Sequence, residues 1–365
     1  MVSAASPRLL VPLGFLIAVA YIPGWTGAAI PSSYFALMII LPILLWLRDI
    51  EITSNHLFGG LFVLYAGISV LWSISVSIGF FAFLHQVLVL GLVFCLGSTL
   101  LYDDLKRVII GLAAGLSISA ILAIQQWISF KFGYVNFVFA NHTVIAGLFV
   151  NSNVLCEISA IMLIALLVFK LYWWIPVTLP GILFIHSRAA ILGLLVCGLI
   201  YIAKISKLGV FILICLAGLI GFVTYGYFNS ASIYERIDLW TDTLRGLTVF
   251  GSGAGSYELR FPMHALAIDT SIARPRYAHN DFLHLIYEYG IAVCLLIPII
   301  LNVLKVNKDE KYIFICFGTI SLFSFPLFSP VSAFVGILVA GYLTRYYAPG
   351  WNIRVVRRPV LFAGH

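Results

Sequence analysis

Arg274-Pro275-Arg276-Tyr277-Ala278-His279-Asn280-Asp281 runs directly into Phe282-Leu283-His284-Leu285-Ile286-Tyr287-Glu288-Tyr289-Gly290, and the chain then stays apolar to about Val303. From Phe282 onward this is a helix long enough to cross the ~30 Å hydrocarbon core of a bilayer at a rise of about 1.5 Å per residue. Charged groups at the mouth of such a span are costly and point to a site. The rest of the 365-residue chain has the same character, with 62% hydrophobic and 10% charged residues and a mean hydropathy of +1.08. A soluble domain carries roughly a quarter charged residues. The expected fold is therefore all-α, a single polytopic membrane domain over residues 1–365.

Apolar runs predict about twelve transmembrane helices: Leu9–Gly24, Ser33–Leu47, Leu57–Ile74, Phe83–Leu101, Val108–Trp127, Val154–Phe169, Tyr172–Ile185, Ala189–Ala203, Leu208–Tyr227, Phe282–Val303, Tyr312–Phe328 and Val331–Tyr346. With the N-terminus in the cytoplasm, fourteen Lys and Arg fall on the cytoplasmic side and seven outside. That is a positive-inside bias, and it places both termini in the cytoplasm. The net charge of +7 is then topological and does not mark a nucleic-acid surface. The six cysteines lie in apolar stretches without paired spacing and read as packing residues. No cleavable signal peptide is evident.

Two stretches depart from simple spans. Tyr172–Ile185 is short and holds Pro176 and Pro180, so the turn His186-Ser187-Arg188 is expected below the outer surface. Phe130–Asn153 is semi-apolar and reads as re-entrant or interface-lying. The long hydrophilic stretch, residues 228–281, forms a large outward loop before the tenth span and reads as folded.

Candidate chemistry gathers on the outward side. His279 precedes a helix capped by Asn280 or Asp281, and the positive end of that helix favours a neutral imidazole suited to a general base. The plainer reading is an interface histidine. Arg188 sits in a tight outward turn, where a guanidinium fork clamps phosphate oxygens or simply snorkels. Arg236 lies in Tyr234-Glu235-Arg236-Ile237-Asp238-Leu239-Trp240, which with Leu244 and Leu247 reads as an amphipathic surface helix or as a solvated charged face. Gly251-Ser252-Gly253-Ala254-Gly255-Ser256 offers backbone amides to phosphate or makes a tight turn. Asp281, His284 and Glu288 share a helix face, more in keeping with structure than with a metal site, and Glu288 is expected to pair with an arginine. Asp103-Asp104 begins a helix and reads as capping.

Four pieces in order resemble the O-antigen ligase and O-antigen polymerase superfamily of bacterial membrane glycosyltransferases. They are Phe149-Val150-Asn151-Ser152-Asn153, Ser187-Arg188, Arg236 to Trp240 with the glycine cluster, and His279-Asn280 followed by Gly290. After Gly290 the chain reads Ile291-Ala292-Val293-Cys294, where the ligase motif continues with Gly-Thr and a Trp; the lean is towards polymerase, with ligase the alternative. The resemblance implies a glycan donor on undecaprenyl pyrophosphate, an acceptor that is a second lipid-linked repeat unit or lipid A-core, and inverting transfer without metal or other cofactor. It also implies a site on the periplasmic face of the bacterial inner membrane, and allows a chain-length regulator as partner. His279, Arg188 and Arg236 would be catalytic. Arg274, Arg276, Asn280, Gly253, Gly255, Asn151, Asn153 and Glu288 would bind substrate. The rival classes are a secondary transporter and a non-enzymatic subunit that binds lipid-linked glycan.

Overall fold

A computed structural model describes residues 9–19, 40–45, 48, 50–132, 145–149, 151–185, 187–206, 231–263, 265, 275–346 and 352–355. The chain is mostly helical. Three helical stretches are long and apolar enough to cross a membrane: Ser54–Trp72, Tyr102–Phe132 and Asp281–Lys305. Six shorter apolar helices accompany them. Among the described residues the count of twelve spans is not reached, and the expected span Leu208–Tyr227 lies outside them.

The helices used below are α1 (Leu10–Val19), α2 (Ser54–Ser69), α3 (Val76–Ala82), α4 (Val89–Thr99), α5 (Tyr102–Phe132), α6 (Ser152–Val168), α7 (Leu179–Leu183), α8 (Arg188–Ala203), α9 (Ala231–Arg245), α10 (Tyr257–Arg260), α11 (Asp281–Tyr289), α12 (Ile297–Lys305), α13 (Lys311–Ser321) and α14 (Pro330–Thr344). A 3-10 stretch, Gly290–Leu296, joins α11 to α12. Helices in a membrane gain little from hiding apolar surface from lipid, so close backbone packing must hold them together. Reciprocal glycines supply it here. A Cβ on Gly14 would lie 2.3 Å from the Val108 carbonyl oxygen, and one on Gly111 2.1 Å from that of Val11, so α1 and α5 touch backbone to backbone. Gly97 and Gly341 do the same for α4 and α14, with clashes of 2.2 Å at Leu338 O and 2.1 Å at Phe94 O. Apolar side chains such as Leu64, Leu71 and Ile121 stay exposed, as lipid-facing positions would.

The stretch Tyr172–Ile185 is not one helix. It forms a 3-10 turn, Tyr172–Val177, and the five-residue α7. Pro176 and Pro180 lack the amide hydrogens that would carry a helix through. In the second irregular stretch, Ile145–Phe149 tucks against the middle of α5. The Gln126 carboxamide accepts from the amides of Ala146 and Gly147, both at 2.8 Å, and Ser119 Oγ accepts from Leu148 N at 3.2 Å. The backbone amides of this non-helical turn are satisfied by protein, and the rest of the stretch, 133–144 and 150, lies outside the described residues.

One departure from an all-α fold occurs. Ile50–Thr53 (β1) pairs antiparallel with Asn352–Val355 (β2). At the same end, Arg48 donates to Asp104 Oδ2 at 3.1 Å, and Arg345 donates to Leu100 O at 3.1 Å. Asp104 also accepts from Leu101 N at 3.4 Å, so it caps α5 while pairing with Arg48. The remaining polar cluster lies at the opposite end, where α6, α8, α11 and α14 begin.

Candidate functional site

Three helices start at this end with side-chain caps. Asn151 Oδ1 accepts from Asn153 N at 2.8 Å, Ser187 Oγ from Ala190 N at 3.5 Å, and Asn280 Oδ1 from Leu283 N at 3.0 Å. Asn151 and Asn280 therefore set where α6 and α11 begin, and Asn153 lies in the first turn of α6. Arg188 is the first residue of α8 and half-buried.

Arg236 comes from the loop. It sits on α9, whose Leu239 packs with Tyr257, Phe261, Ala278 and Tyr287 into a small core of the loop's own. Leu239 and Trp240 turn inward, while Tyr234, Ile237 and Leu244 stay exposed. Trp240 Nε1 donates to Ala278 O at 2.8 Å, which locks the residue before His279. Arg236 Nη1 donates to Phe323 O at 2.7 Å. Burial first, and then the nearby Arg188 guanidinium, lowers the pKa of Arg236 from its ordinary value. Two cations held close in a partly dry site favour an anion.

His279 has φ +52°, a left-handed conformation that L residues rarely adopt. Its ring meets Phe325 edge to face at 5.0 Å, and its Nδ1 is buried without a hydrogen-bond partner among the described residues. Burial, then the positive charge of Arg236, pulls its pKa down to about 4. The imidazole is neutral at pH 7 and able to accept a proton.

Two residues that the sequence analysis did not single out complete the cluster. Glu157 is fully buried on α6, and its Oε1 accepts a short hydrogen bond from Ser324 Oγ. The strip that joins α13 to α14 thus touches Arg236 through Phe323 O, Glu157 through Ser324 Oγ and His279 through the Phe325 ring. Two residues after Phe325, Leu327 N donates to Asp281 Oδ2 at 2.9 Å. Ser324-Phe325-Pro326 falls within the expected span Tyr312–Phe328. A buried glutamate in a greasy helix, and a proline inside a supposed span, were the available signals.

The other candidates do not join this cluster directly. Arg276 is exposed, with Nε 3.3 Å from Glu258 Oε1. Arg274 lies outside the described residues. The amides of the glycine turn are engaged within the protein: Gly251 N to Thr248 O, Ser252 N to Tyr287 O, Gly253 N to Glu288 O and Ala254 N to Ser69 Oγ. Gly253 (φ +91°) and Gly255 (φ +66°) pack against the end of α2 and α3, so the turn clasps helices and offers no row of open amides to phosphate. Among the described residues Glu288 meets no arginine. Its Oε1 accepts from Tyr257 N at 3.2 Å and lies 3.4 Å from His284 Nε2. The His284 ring is sandwiched between Tyr257 (4.5 Å) and Phe328 (4.3 Å). No group of three potential metal ligands is found among the described residues.

A cavity of about 370 Å³ begins beside the cluster, at Asp281 and Leu327, and extends to His56 near the opposite end. Its walls are apolar residues of α2, α4, α11, α12 and α13, among them Phe62, Phe94, Leu285 and Phe317. Among its side chains only His56, Asp281, Cys95 and Ser321 carry polar groups.

No protein-family model matches the chain, and no curated protein matches it.

Proposed function

We propose that the chain is a membrane glycosyltransferase acting on a glycan linked to a polyprenyl pyrophosphate, with surface-polysaccharide polymerisation as the reaction and ligation to lipid A-core as the alternative. The observation that carries this reading is the convergence of Arg188, Arg236 and His279, from three separate elements, beside the end of a long apolar cavity. The arginines suit a pyrophosphate leaving group, whose charge grows as the glycosidic bond breaks. The neutral His279 would take the proton of the attacking acceptor hydroxyl. The cavity would hold part of the isoprenoid tail. In the finer topology the chain has about twelve spans, both termini lie in the cytoplasm of a bacterium, and the site faces the periplasm. A transporter for polar solutes fits less well, because the cavity wall is almost wholly apolar between its two ends.

The test is a surface-polysaccharide gel from a deletion strain carrying wild type, Arg188→Ala or His279→Ala. A single repeat unit on lipid A-core in both variants means polymerase. Long chains stranded on the lipid carrier mean ligase. Wild-type ladders from His279→Ala refute the assignment of the base.

A further inference from the structure

Glu157 has no role in the chemistry described so far. It stands on α6 among Leu155, Cys156 and Ile158, all buried, where an ionisable group is expensive. One of its oxygens is fastened to Ser324, and the other, Oε2, is buried without a hydrogen-bond partner among the described residues. Native interiors rarely leave such an acceptor unmatched, and a bound group that supplies the donor is one cause. His279 Nδ1 and Asp281 Oδ1 in this cluster are likewise buried without a hydrogen-bond partner among the described residues. The Arg236 guanidinium lies close enough to both Glu157 and His279 for its charge to be felt at each, and Arg188 is close to Arg236. The cluster therefore combines cations with unsatisfied hydrogen-bond acceptors. A bare anion would match the cations and leave the acceptors empty. A ligand that joins phosphate to hydroxyl groups matches both.

We infer that Glu157 reads the substrate: its Oε2 accepts a hydroxyl of the sugar attached directly to the pyrophosphate, while Arg188 and Arg236 hold the phosphates. The inference rests on the function proposed above and deepens it, assigning the recognition of the first sugar to a residue inside the membrane helix. Ser324 has a positioning part, since it fixes the carboxylate through Oε1.

The experiment measures binding to the full-length protein in nanodiscs with two probes, undecaprenyl pyrophosphate and undecaprenyl-pyrophosphoryl-N-acetylglucosamine. Wild type is expected to bind the sugar-bearing probe about tenfold more tightly, as one hydrogen bond to a buried carboxyl group allows. Glu157→Met keeps the volume but cannot accept a hydrogen bond of that strength. It should erase the tenfold difference and leave the affinity for undecaprenyl pyrophosphate within about twofold of wild type. Glu157→Gln, a neutral acceptor, should retain about threefold of the difference. Melting temperatures in detergent establish that each variant is folded; if Glu157→Met does not fold, the Gln variant carries the test. A folded variant with the full difference overturns the inference, as does an equal loss for both probes or a wild type that does not distinguish them. A wild type that binds neither probe instead refutes the lipid-pyrophosphate function itself.

Discussion

If His279 is the base, the rate of glycan transfer should be nearly independent of pH from about 5 to 8. An ordinary histidine titrates near 6.5, whereas burial and then Arg236 bring this one to about 4. A base must be unprotonated to work, so the acid limb of kcat/KM follows the free enzyme's pKa. With the ordinary value, the rate would fall about fivefold between pH 6.5 and 5.5; with the lowered one it would barely change there. Arg236→Gln removes the second cause and leaves burial, so in that variant the limb should move up but stay below 6.5. The same shift has a consequence for stability. Between the two values the unfolded chain binds a proton that the folded chain refuses, so stability falls as the pH drops from 6.5 towards 4. The full effect is about 3 kcal/mol, reached below the lower value. The assay is initial-rate transfer in proteoliposomes across pH 4.5 to 8, with residual activity after return to pH 7 as the control for unfolding. A wild-type acid limb centred at 6.5 or higher would refute the reasoning.

Four further outcomes are expected. Gly253→Ala places a Cβ 2.8 Å from Ser69 O at a φ of +91°, and backbone strain plus overpacking should cost about 3 kcal/mol, read as a lower melting temperature in detergent. Asp104→Asn breaks the ion pair with Arg48, whose side chains are 9% and 10% exposed, and should cost about 3 kcal/mol in the same assay. Arg236→Ala should lower kcat/KM for transfer by about a hundredfold or more, as the loss of a group stabilising transition-state charge does. Arg276→Ala, whose pair with Glu258 is solvent-exposed, should lower it less than about tenfold and leave the melting temperature unchanged.

The apolar, helical character of the chain was legible because hydropathy reports directly on the solvent a helix face meets. The breaks at Tyr172–Ile185 were legible too, since Pro176 and Pro180 act locally. Asn280 as a helix cap followed from residue type and place. Contacts across great distances in sequence were not readable in this way. The 167-residue separation of Glu157 and Ser324 leaves no periodic mark on either segment. The glycine cluster left phosphate loop and tight turn both open because each needs glycines at positive φ, and only the partners of the amides tell them apart. The pairing of β1 with β2 was hidden for the same reason, as each is four residues long and lies at a different end of the chain.

The placement of the strip between α13 and α14 explains how groups from so many elements keep a common geometry. Arg236 belongs to the loop, Glu157 to α6, and His279 and Asp281 to the entry of α11, and each touches a residue between Phe323 and Leu327. Positions measured against one short segment vary less than positions measured through four separate helices. Pro326, in the middle of the strip, and Pro330, just after it, lock two backbone φ angles, which limits the strip's own freedom. Leu327 also forms part of the cavity wall. The surface that organises the charged cluster is therefore continuous with the surface that would hold a lipid tail. In a lipid-linked substrate the reacting bond lies between head and tail, so a shared wall fixes that bond relative to His279 more tightly than separate sites for the two halves could.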